Sequence, residues 1–320
     1  MWTVAILLAS VAGGEPPRWY TNPVYPGDFP DPFVIRHGGR FYAYATQSGA
    51  DRFQVMESDD VVEWRERVLD FEVPWSKQHL WAPEVHERQG TLYLTYSALD
   101  PQTRKHHIGI ATAEAPLGPF THRAILVRGD DNEVGVIDAT IAHEGGVDYL
   151  VYSEERPRRI VARRLRSDWL AVEGEPVELI RPDLPDEDGV VEAPTVIRRA
   201  GRVHLLYSSG VFQGTKQSCR YAVRHAVSES LLGPYRKSPR PLLAGREGGV
   251  YGPGHQCVVE LADGTSWMLY HGWSAEGEPR YGRNPRGRTL RLDRLEWDGQ
   301  MPRVLGPTLT RQPAPRVGNP

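Results

Sequence analysis

The segment Glu192-Ala193-Pro194-Thr195-Val196-Ile197-Arg198-Arg199-Ala200-Gly201-Arg202-Val203-His204-Leu205-Leu206-Tyr207-Ser208 contains the plan of most of the chain. A short apolar run leads into an Ala-Gly turn, and a second run rich in Val, Leu and Tyr leads out, the signature of a β-hairpin. The plan recurs. Gly39, Gly90, Gly146, Gly201 and Gly264 are followed three residues later by Tyr42, Tyr93, Tyr149, His204 and Trp267, and the last four have a tyrosine six residues on. Successive glycines lie 51, 56, 55 and 63 residues apart, a period typical of solenoids, arrays and propellers. Later in each unit comes another strand-like run, such as His107–Thr112 or Tyr221–Ala226. Three or four strands per unit suit one propeller blade, and five units predict an all-β, five-bladed β-propeller. No run of ten or more residues has helical periodicity, which argues against alternating βα folds.

Composition agrees with many short strands: 32 Gly and 27 Pro among 320 residues make a turn-rich chain. The repeat covers nearly the whole length, so residues 15–320 are expected to form a single five-bladed propeller domain. The net charge of −3 and interspersed arginines point away from nucleic acid, and Arg156-Pro157-Arg158-Arg159 reads as a solvated face. No segment approaches transmembrane length. Trp2 to Val11 is apolar and is followed by Ala12-Gly13-Gly14, so residues 1–14 are expected to be a signal peptide, or else a disordered tail. Export to a secreted or periplasmic location follows from the first reading. Cys219 and Cys257 specify no disulfide framework, and Cys257 in its apolar run reads equally well as a buried thiol.

Acidic residues open the first strand of three units: Asp31 before Pro32-Phe33-Val34-Ile35, Asp138 before Ala139-Thr140-Ile141, and Glu192 before Ala193-Pro194-Thr195-Val196. In a radial array these positions converge on the axis, and converging carboxylates are what acid/base hydrolysis requires. A single acid before a strand is equally a turn residue. Three in one register are not explained by turn formation. The corresponding place in the second unit holds Trp81-Ala82-Pro83-Glu84 and in the fifth Gly254-His255-Gln256. An aromatic face, an imidazole and carboxyls together suit a sugar, with Trp81 as stacking platform and Glu84 turned away by its offset.

Several ordered motifs resemble family 43 glycoside hydrolases. They are GDFPDPFVIR at 27–36, WAPEV at 81–85, IGIATAEAPLGPF at 108–120, VIDATI at 136–141 and EAPTVI at 192–197, then GPGHQ at 252–256, LYHGW at 269–273 and GRTLRLDRLEWDGQMP at 287–302. The resemblance implies a five-bladed inverting enzyme acting on arabinose- or xylose-containing oligo- or polysaccharide, as a monomer, with no required cofactor. It implies that Asp31 is the general base, Glu192 the general acid, and Asp138 the group that tunes and orients the acid. It implies that Arg288 reaches the sugar and that His255 helps hold a hydrated structural calcium in the channel, although Gln256 departs from the family's pattern there. The expected activity is exo-acting α-L-arabinofuranosidase, with β-xylosidase, endo-arabinanase, a retaining hydrolase and a non-catalytic carbohydrate-binding propeller as alternatives. The stretches 211–217 and 247–251 are expected to wall the pocket.

Overall fold

The computed structural model describes residues 18–317. The expected signal segment, residues 1–14, lies outside them. Five four-stranded antiparallel sheets form in chain order, each from one contiguous stretch. Blade I comprises Phe33–His37, Arg40–Ala45, Gln54–Ser58 and Arg65–Arg67; blade II comprises Trp81–Arg88, Thr91–Leu99, His106–Ala113 and Thr121–Val127. Blade III comprises Val136–Glu144, Val147–Glu155, Arg158–Leu165 and Val172–Ile180; blade IV comprises Glu192–Arg199, Arg202–Ser209, Ala222–Ser228 and Arg236–Lys237. Blade V comprises Val250–Glu260, Ser266–Ser274, Arg288–Asp298 and Met301–Val304. The first strands of successive blades touch one another in a closed circle, blade V returning to blade I. This is the five-bladed propeller that the glycine spacing predicts.

The repeat glycines make the first hairpin of each blade. Gly39, Gly90, Gly146, Gly201 and Gly264 all have φ between 75° and 83°, a region in which a side chain would clash with its own backbone. The tyrosines six residues on, Tyr96, Tyr152, Tyr207 and Tyr270, are buried between blades. Each joins a separate apolar cluster with residues of the preceding blade. A fifth cluster, containing Phe41, Cys257, Leu269 and Leu292, fills the seam between blades V and I. That last seam is also clasped at its edge, where Trp19–Tyr20 pairs with Gln312–Pro313. Inside it, Asn22 Nδ2 donates to the Leu292 carbonyl at 2.8 Å. Both cysteines are free and buried.

A second ring of contacts lies nearer the axis. Asp31, Ala82, Asp138, Ala193 and His255, one per blade, all adopt left-handed φ, between 45° and 58°. In each of blades II to V the register of the first hairpin shifts across this residue, and the bulge turns its N–H out of its own sheet. The freed N–H reaches the preceding blade. Ala82 N donates to Thr46 Oγ1 at 2.9 Å, Asp138 N to Ser97 Oγ at 3.2 Å, and His255 N to Ser208 Oγ at 2.8 Å. Asp31 N closes the circle by donating to His271 Nδ1 at 3.0 Å. Only the seam between blades III and IV differs: Ala193 N donates to Asp138 Oδ2 at 3.1 Å, and Ser153 Oγ is left buried without a partner. Left-handed alanines cost ~1–3 kcal/mol each, and the ring supplies the bonds that hold them there.

Candidate active site

The bulges bring together the acids that the sequence singles out, but not in the register expected. Asp31 and Asp138 occupy the left-handed position itself. Glu192 stands one place earlier, paired with Ser208 just as Trp81 pairs with Ser97 and Ile137 with Ser153. The acid in blade IV is therefore the counterpart of Trp81, and its neighbour Ala193 is the counterpart of Asp138. Because the bulge reverses direction between the two places, Glu192 approaches the axis from a different side.

Asp31 is enclosed by a guanidinium, a hydroxyl and an imidazole. Arg288 Nη1 donates to its Oδ1 at 2.9 Å, Thr46 Oγ1 donates to its Oδ2 at 2.6 Å, and His255 Nδ1 lies 3.3 Å from Oδ1. Burial by itself would raise this carboxyl, but Arg288 and then His255 outweigh it and hold Asp31 well below the usual carboxylate range. His271 is itself neutral, lowered to about 4 by burial and then by Arg288. Its Nδ1 accepts the Asp31 N–H, so the 3.2 Å approach of that nitrogen to Oδ1 is a contact without a hydrogen. Arg288 is positioned from three sides: its N–H donates to Asp28 Oδ1 at 2.7 Å, its Nη2 donates to the Tyr281 hydroxyl, and its guanidinium lies 5.3 Å from the Tyr281 ring and 5.9 Å from Phe212.

Asp138 has the opposite environment. Burial and then the charges of Glu192 and Asp31 push it well above the usual range, and the Ala193 N–H offsets this only in part. Glu192 accepts the Tyr221 hydroxyl on Oε1 at 2.7 Å and Arg158 Nη1 on Oε2 at 3.0 Å. Tyr221 is buried and its own pKa is pushed far up by burial and Glu192, so it remains a hydroxyl donor. It lies parallel to His271, interplanar 3° and 5.9 Å between centroids, so one stack links the surroundings of the two outer carboxylates. Gly254 makes room for this ring, since a Cβ there would meet Tyr221 Cε1 at 2.1 Å.

Trp81 stands at the mouth of blade II. His79 and His106 stack on it at 4.7 and 4.3 Å, and their centroids are only 5.4 Å apart, too close for rings on opposite faces. One indole face is therefore backed by two imidazoles, braced by Glu155 Oε2 at 2.9 Å from His106 Nδ1. The other face has no aromatic partner among the described residues. Across the site, Phe212 and Tyr281 stand on two loops that are tied together. Trp273 Nε1 donates to the Phe212 carbonyl at 2.7 Å, and Gly214 N to that of Pro279 at 2.8 Å.

His255 points its Nδ1 at Asp31, and Gln256 is fully engaged, donating to the Ala193 carbonyl at 3.1 Å and accepting from Ser208 at 3.2 Å. Among the described residues no three His, Cys, Asp or Glu side chains converge as a metal site. For the expected hydrated calcium, the imidazole of His255 would be a contact through water, since calcium takes oxygens as its direct ligands. The arginine run also departs from expectation. Arg156 and Arg159 pair with Glu133 and Glu154 as a solvated face would, whereas Arg158 reaches into the site.

Sequence reasoning missed Tyr221, His271, Thr46 and Arg158. A signal existed for two of them: Thr46, Ser97, Ser153, Ser208 and His271 lie seven residues after the five repeat glycines, four hydroxyls and an imidazole in one column. A cavity of about 490 Å³ lies at the clasp and is lined by Tyr20, Trp267, Asp293 and Thr308, apart from all of these groups.

Comparison with known proteins gives the same picture. The profile of "Glycosyl hydrolases family 43" matches residues 20–302. An extracellular exo-α-(1→5)-L-arabinofuranosidase of Streptomyces avermitilis is 26% identical over 316 residues, covering 90% of this chain. The chain spans only 63% of that relative's length. A β-D-galactofuranosidase of Aspergillus niger is 26% identical over 271 residues, covering 78% of this chain and 75% of the relative. The solved structure of a thermostable family-43 glycoside hydrolase superposes with a TM-score of 0.81 at 31% identity, over 93% of this chain and 100% of the other. With the profile spanning nearly all five blades and a solved member matched along its whole length, the chain belongs to the glycosyl hydrolases family 43.

Proposed function

We propose that this chain is an inverting, exo-acting glycosidase releasing a terminal pentose, in first place an α-L-arabinofuranosidase. The observation that carries the reading is the opposite treatment of neighbouring carboxyls: Arg288 holds Asp31 in its ionised form, while burial and the mutual repulsion of Asp138 and Glu192 favour one proton shared by that pair. Carboxyls driven apart in this way divide the base and acid roles between them. Asp31 accepts a proton from a water as its oxygen attacks the anomeric carbon. The bond from that carbon to the leaving oxygen breaks, and Glu192 gives that oxygen its proton. Asp138 keeps a proton in the acid half of the site and is oriented by the Ala193 N–H. Arg288 both fixes Asp31 and offers a guanidinium to the sugar, and the uncovered face of Trp81 is the stacking platform.

The tied loops bearing Phe212 and Tyr281 favour a pocket over an open groove, hence terminal cleavage. The name of the Streptomyces relative supports arabinofuranose and an extracellular location. No helix among the described residues is long and apolar enough to cross a membrane. The test is hydrolysis of nitrophenyl α-L-arabinofuranoside and β-D-xyloside by wild type, Asp31→Ala and Glu192→Ala, with the first-formed anomer read by NMR. Turnover abolished in both variants and an inverted product are expected. An inert wild type, or a retained anomer, would overturn the reading.

A further inference from the structure

Tyr221 donates its hydroxyl hydrogen to Oε1 of Glu192, so a proton leaving this carboxyl must leave from Oε2. Among the described residues the hydrogen-bond partner of Oε2 is Arg158 Nη1 at 3.0 Å. A guanidinium in that place occupies the very oxygen that has to carry the proton. It also stands where the leaving oxygen of a substrate has to arrive. The two cannot both be at Oε2, so productive binding requires Arg158 to be drawn aside.

The position of Arg158 indicates what would draw it. Its side chain is 31% exposed against 15% for Glu192, so it lies on the solvent side of the acid. Among the described residues only Nη1 makes a hydrogen bond, so the edge formed by Nε and Nη2 is open. Its neighbours in the same turn are engaged elsewhere, Arg159 with Glu154 at 2.6 Å and Arg156 with Glu133 at 3.9 Å. An arginine fork with a free edge matches a carboxylate through two parallel hydrogen bonds, and a neutral hydroxyl does not compete with Glu192 for it.

We propose that Arg158 forms a leaving-group subsite for an acidic sugar: the carboxylate of a hexuronate takes the guanidinium from Glu192 as the glycosidic oxygen takes its place at Oε2. The inference rests on the glycosidase reading above and narrows its substrate class to pentose carried on a uronate-containing chain.

The test compares one terminal arabinofuranose linked to a hexuronate with the same compound as its methyl ester, which removes the charge and adds one methyl group. Wild type is expected to show kcat/KM roughly tenfold higher for the acid, the size of one charge-assisted contact at a partly exposed site. Arg158→Gln is expected to bring the ratio to about one, and Arg158→Lys to keep part of it. In wild type the preference should shrink between roughly 0.01 and 0.5 M salt. Wild type cleaving the ester as fast as the acid overturns the inference, whether or not the variants fold. A preference that persists in Arg158→Gln overturns it as well. A neutral arabino-oligosaccharide is run alongside. Hydrolysis of it without any acid preference sinks the subsite alone, whereas inertness on every substrate sinks the glycosidase reading and the subsite with it.

Discussion

Replacing Arg288 by methionine isolates the electrostatics of the base. The guanidinium contacts Asp31 Oδ1 at 2.9 Å with both groups buried, and it is the largest influence opposing the burial that would otherwise raise the carboxyl. A hydrogen bond to a charged group contributes about 1.5–3 kcal/mol, and 1.36 kcal/mol corresponds to one pH unit, so the Asp31 titration should rise by about one to two units. Because Asp31 acts ionised, it sets the acidic limb of kcat/KM, and Arg288→Met moves that limb upward by this amount. Arg288→Lys, which keeps the charge without the fork, should fall between. The stability signs follow from linkage. In wild type the depressed Asp31 contributes stability that is present above its unfolded value near 4 and is lost as pH falls through its folded value. In the methionine variant the buried carboxylate keeps the Thr46 hydroxyl and His255 but no guanidinium, a loss of about 3–5 kcal/mol at neutral pH, and acidification restores part of it. The assay is a pH series of kcat/KM with nitrophenyl arabinofuranoside, with urea unfolding at pH 4 and 7. A lower rate with the acidic limb unmoved would refute the reasoning, since Arg288 would then contact sugar without controlling the base.

Tyr221→Phe removes a buried donor to Glu192 and should lower kcat about ten- to a hundredfold on substrates with poor leaving groups, with dinitrophenyl glycosides largely spared. Equal losses on both kinds of substrate would count against Tyr221 acting through the acid. Gly254→Ala should push the Tyr221 ring aside, reproducing that leaving-group dependence and destabilising by about 1–3 kcal/mol in urea unfolding. Ser208→Ala strands the His255 N–H and should cost about 1–3 kcal/mol, whereas Ser153→Ala, at the equivalent place without a partner, should lie within about 0.5 kcal/mol of wild type. Equal effects of the two serine changes would contradict the ring of seam bonds.

The fold was legible because the glycine period is a backbone requirement: each hairpin needs positive φ at its last turn residue, four of the five also at the residue before, and the sequence places a glycine at that last position five times. Asp31 and Asp138 were legible for a related reason, since each holds the left-handed place of its blade. Glu192 was found although its register was misjudged by one place, because a bulge adds a residue that no linear alignment of acids reveals. Tyr221 and Arg158 were not legible. They come from loops and outer strands of blades III and IV, and which of their residues meet Glu192 depends on how far each blade twists, a quantity without a sequence period. The arginine run was misread for the same reason, as its composition is that of a surface while its middle member lies against an acid.

The seam between blades III and IV is held by a carboxylate where its sister seams use a hydroxyl or an imidazole. The scaffold and the chemistry thus share one atom, Oδ2 of Asp138. In descendants that abandon hydrolysis and keep only sugar binding, Asp31 and Glu192 are free to drift, but Asp138 is not, unless Ser153 swings back to receive the orphaned amide. A lone aspartate at this seam, with both partners gone, would mark a fossil enzyme. An alanine there beside an engaged serine would mark a lineage whose seam has already been repaired.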